Sequence, residues 1–128
     1  MRLLLDTHAL IWFVGGNTAL SGTARQAIED PENEIFVSAA SAWEIATKNR
    51  LGKLPNLGPL ANDVSAVLLR LGFAPLSISV AEGEAAGRLP GPHRDPFDRM
   101  LIAQALAEAL TLVSNERLFD RYGVSRLW

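Results

Sequence analysis

The chain has 128 residues, 48% of them hydrophobic and 20% charged, with a net charge of −2. That balance suits one globular domain with an ordinary core and excludes a disordered chain. With no cysteine, disulfides, Cys-zinc sites and thiol catalysis are excluded. A slightly acidic chain also carries no overall field that would attract nucleic acid, so phosphate contacts would have to come from local clusters or a metal.

No apolar run approaches the ~20 residues that cross a bilayer. The opening MRLLLDTHALIWFV loosely imitates a signal peptide, but Asp6 and His8 interrupt it and no small-residue cleavage site follows. A cytoplasmic protein is the expectation. Residues 2–5 read as the first strand and 9–14 as a buried helix ending at Gly15-Gly16. Ser21 can cap a short helix over 23–29, stopped by Pro31, and EIFVS at 34–38 is the second strand. SAASAWEIATKNRLG is the next helix, with Ser38 or Ser41 at its start and Gly52 past its end. A further helix is expected from Pro59 to Leu71, stopped by Gly72. Residues 75–78 form a third strand, and Ser79 with Glu82 makes a capping box that opens a helix to about Leu89. LPGPHR is loop; Asp95 then caps an apolar helix with Pro96 at its first position, running to about Ala109. Residues 111–113 are a fourth strand, 118–122 a short helix and 124–127 a last edge strand. Strands alternating with helices predict a single α/β domain over 1–128, with a central parallel sheet of four to five strands.

Four carboxylates stand out by position. Asp6 ends the first strand, Glu44 lies early in the helix after the second, Asp98 lies in the first turn of the helix before the fourth, and Glu116 follows the fourth. Crossover helices place their N-termini over the carboxyl edge of a parallel sheet, so all four can meet there. Close like charges repel by roughly 4 kcal/mol per pair at an effective dielectric of ~20, and a hard divalent ion such as Mg²⁺ or Mn²⁺ relieves that. The chemistry favoured is metal-assisted phosphodiester hydrolysis. No P-loop, dinucleotide fingerprint or Ser-His-Asp pattern competes.

LLLDTHALIW, FVSAASAWEIATK, HRDPFDRMLIAQA and TLVSNERLF together resemble the PIN-domain nucleases, specifically the VapC-type toxins of bacterial toxin–antitoxin pairs. The resemblance runs through nearly the whole chain with its motifs in order. It implies that Asp6, Glu44 and Asp98 surround Mg²⁺ or Mn²⁺, with Glu116 standing where the family usually has Asp. It further implies an endoribonuclease acting on structured RNA such as tRNA, a homodimer, and a cognate antitoxin that covers or distorts the site.

Each residue also has a plainer reading. Asp6 before a helix can be simply its N-cap. Asp98 at the third helical position is equally explained by the helix dipole and a capping box with Asp95, and it is the resemblance that assigns it to the metal. Asp95 is assigned to capping. Glu44 sits between apolar neighbours in AWEIA, unlike an ordinary solvated Glu. Trp43 and Trp12 are expected in the core or at a dimer contact, and His93 at the surface. Thr7 is expected to line the site, and Lys48, Arg50 and Arg99, with Lys53 and Arg94, to contact RNA phosphates. The rival to the endoribonuclease is a catalytically silent PIN-like module that binds protein or RNA. A phosphatase with an aspartyl nucleophile fits less well, because His8 stands where its second Asp belongs.

Overall fold

A computed structural model describes residues 1–128 and contains five strands: β1 (Arg2–Leu5), β2 (Glu34–Ser38), β3 (Ala74–Leu76), β4 (Thr111–Val113) and β5 (Arg126–Leu127). They form one sheet of order β3-β2-β1-β4-β5, parallel throughout. The leucine run is therefore the central strand. Leu4 pairs with Phe36 on one side and Leu112 on the other. Alternation splits the run between the two faces. Leu3 and Leu5 join a core with Ile35, Val37, Ile45 and Phe73, whereas Leu4 joins a second core with Leu101, Ile102, Leu112 and Phe119.

Six helices flank the sheet: α1 (Thr7–Gly15), α2 (Gly22–Glu29), α3 (Ala39–Arg50), α4 (Val64–Leu71), α5 (Val80–Arg88) and α6 (Pro96–Glu108). α3 touches both α1 and α6, and α5 lies along α6. The N-termini of α1 and α3 follow directly from β1 and β2, so both open at the carboxyl edge of the sheet. From β1 the chain steps outward to β2 and β3, then crosses back to β4 and β5 on the other side. The reversal between β1 and β4 is where open α/β sheets form their ligand crevice.

Most elements fall where the sequence puts them, with shifts at the ends. The helix expected over 59–71 is broken. Gly58–Ala61 make a 3-10 turn, and Asp63 then caps α4 anew by accepting the Ala66 N–H at 3.0 Å. An aspartate that offers its side chain to backbone amides starts a helix more readily than it continues one. α1 begins two residues earlier than expected because Asp6 is its cap. The residues at 118–122 belong to a 3-10 helix, Arg117–Tyr122, and the last strand pairs only over Arg126–Leu127.

Candidate active site

The Asp6 side chain caps α1 at the carboxyl edge of the sheet. Its Oδ1 accepts the Ala9 N–H at 2.7 Å, which starts α1, and the carboxyl group also takes the hydroxyl of Ser114. Ser114 leaves β4 as Asp6 leaves β1, so the two meet across the crevice. Only 8% of Asp6 is exposed. Burial raises its pKa, with nearby Glu44 adding to the rise, and outweighs the lowering by Ser114, the Ala9 amide and His8.

Glu44, on the second turn of α3, is buried and held from two sides. The Thr7 hydroxyl donates to Oε1 at 2.5 Å, and the Lys48 ammonium donates to Oε2 at 2.5 Å from one turn along the helix. Ser41 Oγ lies 3.0 Å from the Thr7 hydroxyl and completes the cluster. Burial by itself would lower the Lys48 pKa, but the bond to Glu44 and the attraction of Glu44, Asp95 and Asp98 raise it.

At the start of α6 the two aspartates divide the work. Asp95 Oδ1 accepts the N–H groups of Phe97 and Asp98 at 2.8 and 3.2 Å, so capping belongs to Asp95. The Asp98 carboxylate makes no such local bond. Its pKa is raised to about 7, first by burial and then by the charges of Asp95, Asp6, Glu44 and Glu116. Four other carboxylates therefore act on Asp98 across this edge. Glu116 is exposed at the rim and caps the 3-10 helix through the Leu118 N–H at 3.1 Å.

The donor set consists of hard oxygens with more negative charge than nearby cations offset, which suits a divalent ion such as Mg²⁺ or Mn²⁺. No three acidic or histidine side chains are already gathered as ligands round one point. The reason is local: Glu44 is turned onto Thr7 and Lys48, while Asp98 Oδ2 faces His93 Nε2 at 3.1 Å. A cavity of about 450 Å³ lies elsewhere, beside residues 28–35 and 71–73 at the amino end of the sheet, away from these groups.

Most residues around these acids have partners of their own. Thr7 is buried against Glu44, beside the acids it was expected to line. Lys48 is committed to Glu44. Arg99 spends its guanidinium on the carbonyls of Ala86, Gly87, Leu89 and His93, tying the end of α5 and the following loop to α6. Arg50 is exposed and makes no ion pair or side-chain hydrogen bond. His93 is buried, since the loop it sits on folds inward. Trp43 is 63% exposed and packed edge-on against Phe97 with ring centroids 4.9 Å apart, which excludes the core and leaves the dimer contact of the two places expected for it. Trp12 is half-buried and lies edge-on to Trp128. Residue type marks neither Ser114 nor Ser41 as a neighbour of these acids. Ser114 alone carries a positional signal, because a polar residue directly after a central parallel strand occupies the same edge as Asp6.

A family model described as "PIN domain" matches residues 3–124. Among curated proteins, the chain is 29% identical over 117 residues to ribonuclease VapC22 of Mycobacterium tuberculosis, covering 90% of this chain and 87% of that protein. It is 49% identical over 57 residues to ribonuclease VapC16 of the same organism, a stretch that spans 44% of this chain but only 40% of that protein. Among solved structures, VapBC2 from Rickettsia felis bound to a DNA fragment from its promoter gives a TM-score of 0.73 at 19% identity, covering 100% of this chain and 99% of that one. VapC20 of M. tuberculosis, a Sarcin-Ricin loop cleaving toxin, gives 0.66 at 17% identity, covering 95% of each chain. At these identities the structural likeness shows the fold.

Proposed function

The chain belongs to the PIN domain family, and on that premise we propose that it is a metal-dependent endoribonuclease serving as the toxin of a toxin–antitoxin pair. The observation that carries the proposal is the gathering of Asp6, Glu44, Asp98 and Glu116, from four separate segments, at one edge of the sheet, where burial and the charges of Asp95, Asp6, Glu44 and Glu116 push the Asp98 pKa up to about 7. A fold that keeps four acids in mutual repulsion has a use for a cation there. Similarity to ribonucleases VapC22 and VapC16 supports RNA as the substrate. The VapBC complexes among the structural neighbours support an antitoxin as partner. A homodimer, a cytoplasmic location and a structured RNA target such as tRNA complete the reading. No helix is long and apolar enough to cross a membrane.

Asp6 and Asp98 would hold Mg²⁺ or Mn²⁺, with Glu44 as the third carboxylate and Glu116 adding charge from the rim. When bound, the ion supplies an activated water and stabilises charge on the phosphate oxygens. Ser114 and the Ala9 amide orient Asp6, and Thr7 fixes one oxygen of Glu44. Lys48 neutralises the other oxygen while no cation is present. Arg50, exposed two residues after Lys48 at the end of α3, is a cation free to meet the RNA backbone. The silent-module alternative draws on one observation, the Lys48–Glu44 bridge at 2.5 Å, which already satisfies one of the acids.

Purified chain should cleave RNA in Mg²⁺ or Mn²⁺ and stop on addition of EDTA. Cleavage unaffected by EDTA would overturn the metal dependence, and no cleavage with either ion would favour the silent module. Expression of the chain alone should arrest growth, and a folded Asp6→Asn variant should relieve the arrest.

A further inference from the structure

His93 is a loop residue with the environment of a core residue. It is only 9% exposed. Its backbone is pinned on both sides: the N–H donates to the Tyr122 hydroxyl at 2.9 Å, and the carbonyl accepts from Arg99 Nη1 at 2.9 Å. The loop reaches this position through Gly91, at φ 108°. A Cβ there would stand 2.8 Å from the Tyr122 oxygen, so no larger residue fits without displacing the anchor. The imidazole lies against Phe119 with ring centroids 5.6 Å apart. Backbone, ring face and neighbouring loop thus fix one orientation.

That orientation determines where the ring's proton goes. Nδ1 accepts the Asp95 N–H at 3.4 Å, so in the neutral ring Nε2 carries the hydrogen. Nε2 is buried and has no aligned hydrogen-bond partner. The acceptor it faces is Asp98 Oδ2, 3.1 Å away. A buried N–H left unpaired is costly, and a small rotation of the Asp98 carboxylate completes the bond. We propose that His93 is a positioning residue for Asp98: its Nε2–H engages Oδ2 and leaves the other carboxylate oxygen for a divalent cation. The inference rests on the metal-site reading above. The arrangement resembles, with the roles of ring and carboxylate exchanged, the outer hydrogen bonds that orient metal-binding side chains.

Titration of the isolated chain with Mn²⁺, followed by the paramagnetic resonance of the free ion, tests this together with thermal melting in EDTA. His93→Phe keeps a ring against Phe119 and removes the donor. It should melt near the wild type yet bind Mn²⁺ about 10–100-fold more weakly, the usual effect of losing such an outer partner. His93→Gln retains an N–H able to reach Oδ2 and should stay within about threefold of wild type. If the Phe variant does not fold, Leu against Gln at this position provides the same contrast. A folded Phe or Leu variant with wild-type Mn²⁺ affinity overturns the inference, as does a folded Gln variant as weak as the donor-free one. If wild type binds Mn²⁺ and Asp98→Asn does not, those failures fall on His93 alone. Absence of Mn²⁺ binding by wild type would overturn the metal-site reading and this inference together.

Discussion

Replacing Asp98 by asparagine separates a crowded acid from a helix cap, because the two roles predict opposite signs. The Asp98 carboxyl has a folded-state pKa of about 7 against an ordinary 3.8. Between those values the native protein holds a proton that the unfolded chain gives up. Stability of the metal-free protein therefore falls as pH rises from about 4 to 7 and levels off above. A rise from 3.8 to about 7 corresponds to roughly 4 kcal/mol, an upper bound. The side chain is 27% exposed, so solvent screening reduces this to about 2 kcal/mol. In EDTA at pH 8, Asp98→Asn should consequently melt higher than wild type by about 8 °C, taking ~4 °C per kcal/mol for a chain of this length. Its stability should decline less between pH 5 and 7.5; the buried Asp6, whose pKa is raised too, accounts for the part that remains. With a dissociation constant of order 1 mM, about 10 mM Mg²⁺ should add roughly 1.4 kcal/mol to wild type and little to the variant. Melting curves by circular dichroism at four pH values, with and without Mg²⁺, give the result. A variant that melts lower than wild type in EDTA at pH 8, with its pH slope and Mg²⁺ response intact, would refute the reasoning and return Asp98 to a dipole role worth about 0.3–1 kcal/mol.

Lys48→Gln leaves the buried Glu44 carboxylate without its cation and should cost about 1–3 kcal/mol in EDTA, with a larger stabilisation by Mg²⁺ than wild type shows; an unchanged melting point would mean the bridge is solvated. Arg99→Ala frees four backbone carbonyls at the end of α5 and in the loop after it, and should cost about 2–4 kcal/mol in urea unfolding; wild-type stability would restore Arg99 to the candidates for RNA contact. Arg50→Ala should leave stability within ~0.5 kcal/mol while lowering the salt slope of RNA binding by about 1; an unaltered slope would assign Arg50 to solubility.

The alternation of apolar strands with capped helices was enough to place nearly every element and to make the sheet parallel, since each signal is local: Ser21, Ser79 and Asp95 cap the helices read from them. The positions of Asp6, Glu44, Asp98 and Glu116 at strand and helix ends were likewise readable, because parallel crossovers return helix starts to one edge. Partnership was not readable. Lys48 and Arg99 look like free surface cations in sequence, yet one closes onto Glu44 a helical turn away and the other onto carbonyls 6–13 residues back in the chain. His93, in a Pro/Gly loop, reads as exposed until Tyr122, 29 residues later, draws its backbone inward. Whether Asp6 caps a helix or faces a ligand is a false choice that only three dimensions resolve: Oδ1 starts α1, while the strand pairing brings Ser114 to the same carboxyl group. Residue type and spacing determine which groups reach the edge of the sheet. Side-chain direction and long-range contact decide which of them are spent on one another, because burial forces each polar atom to find a partner and the tertiary fold chooses it.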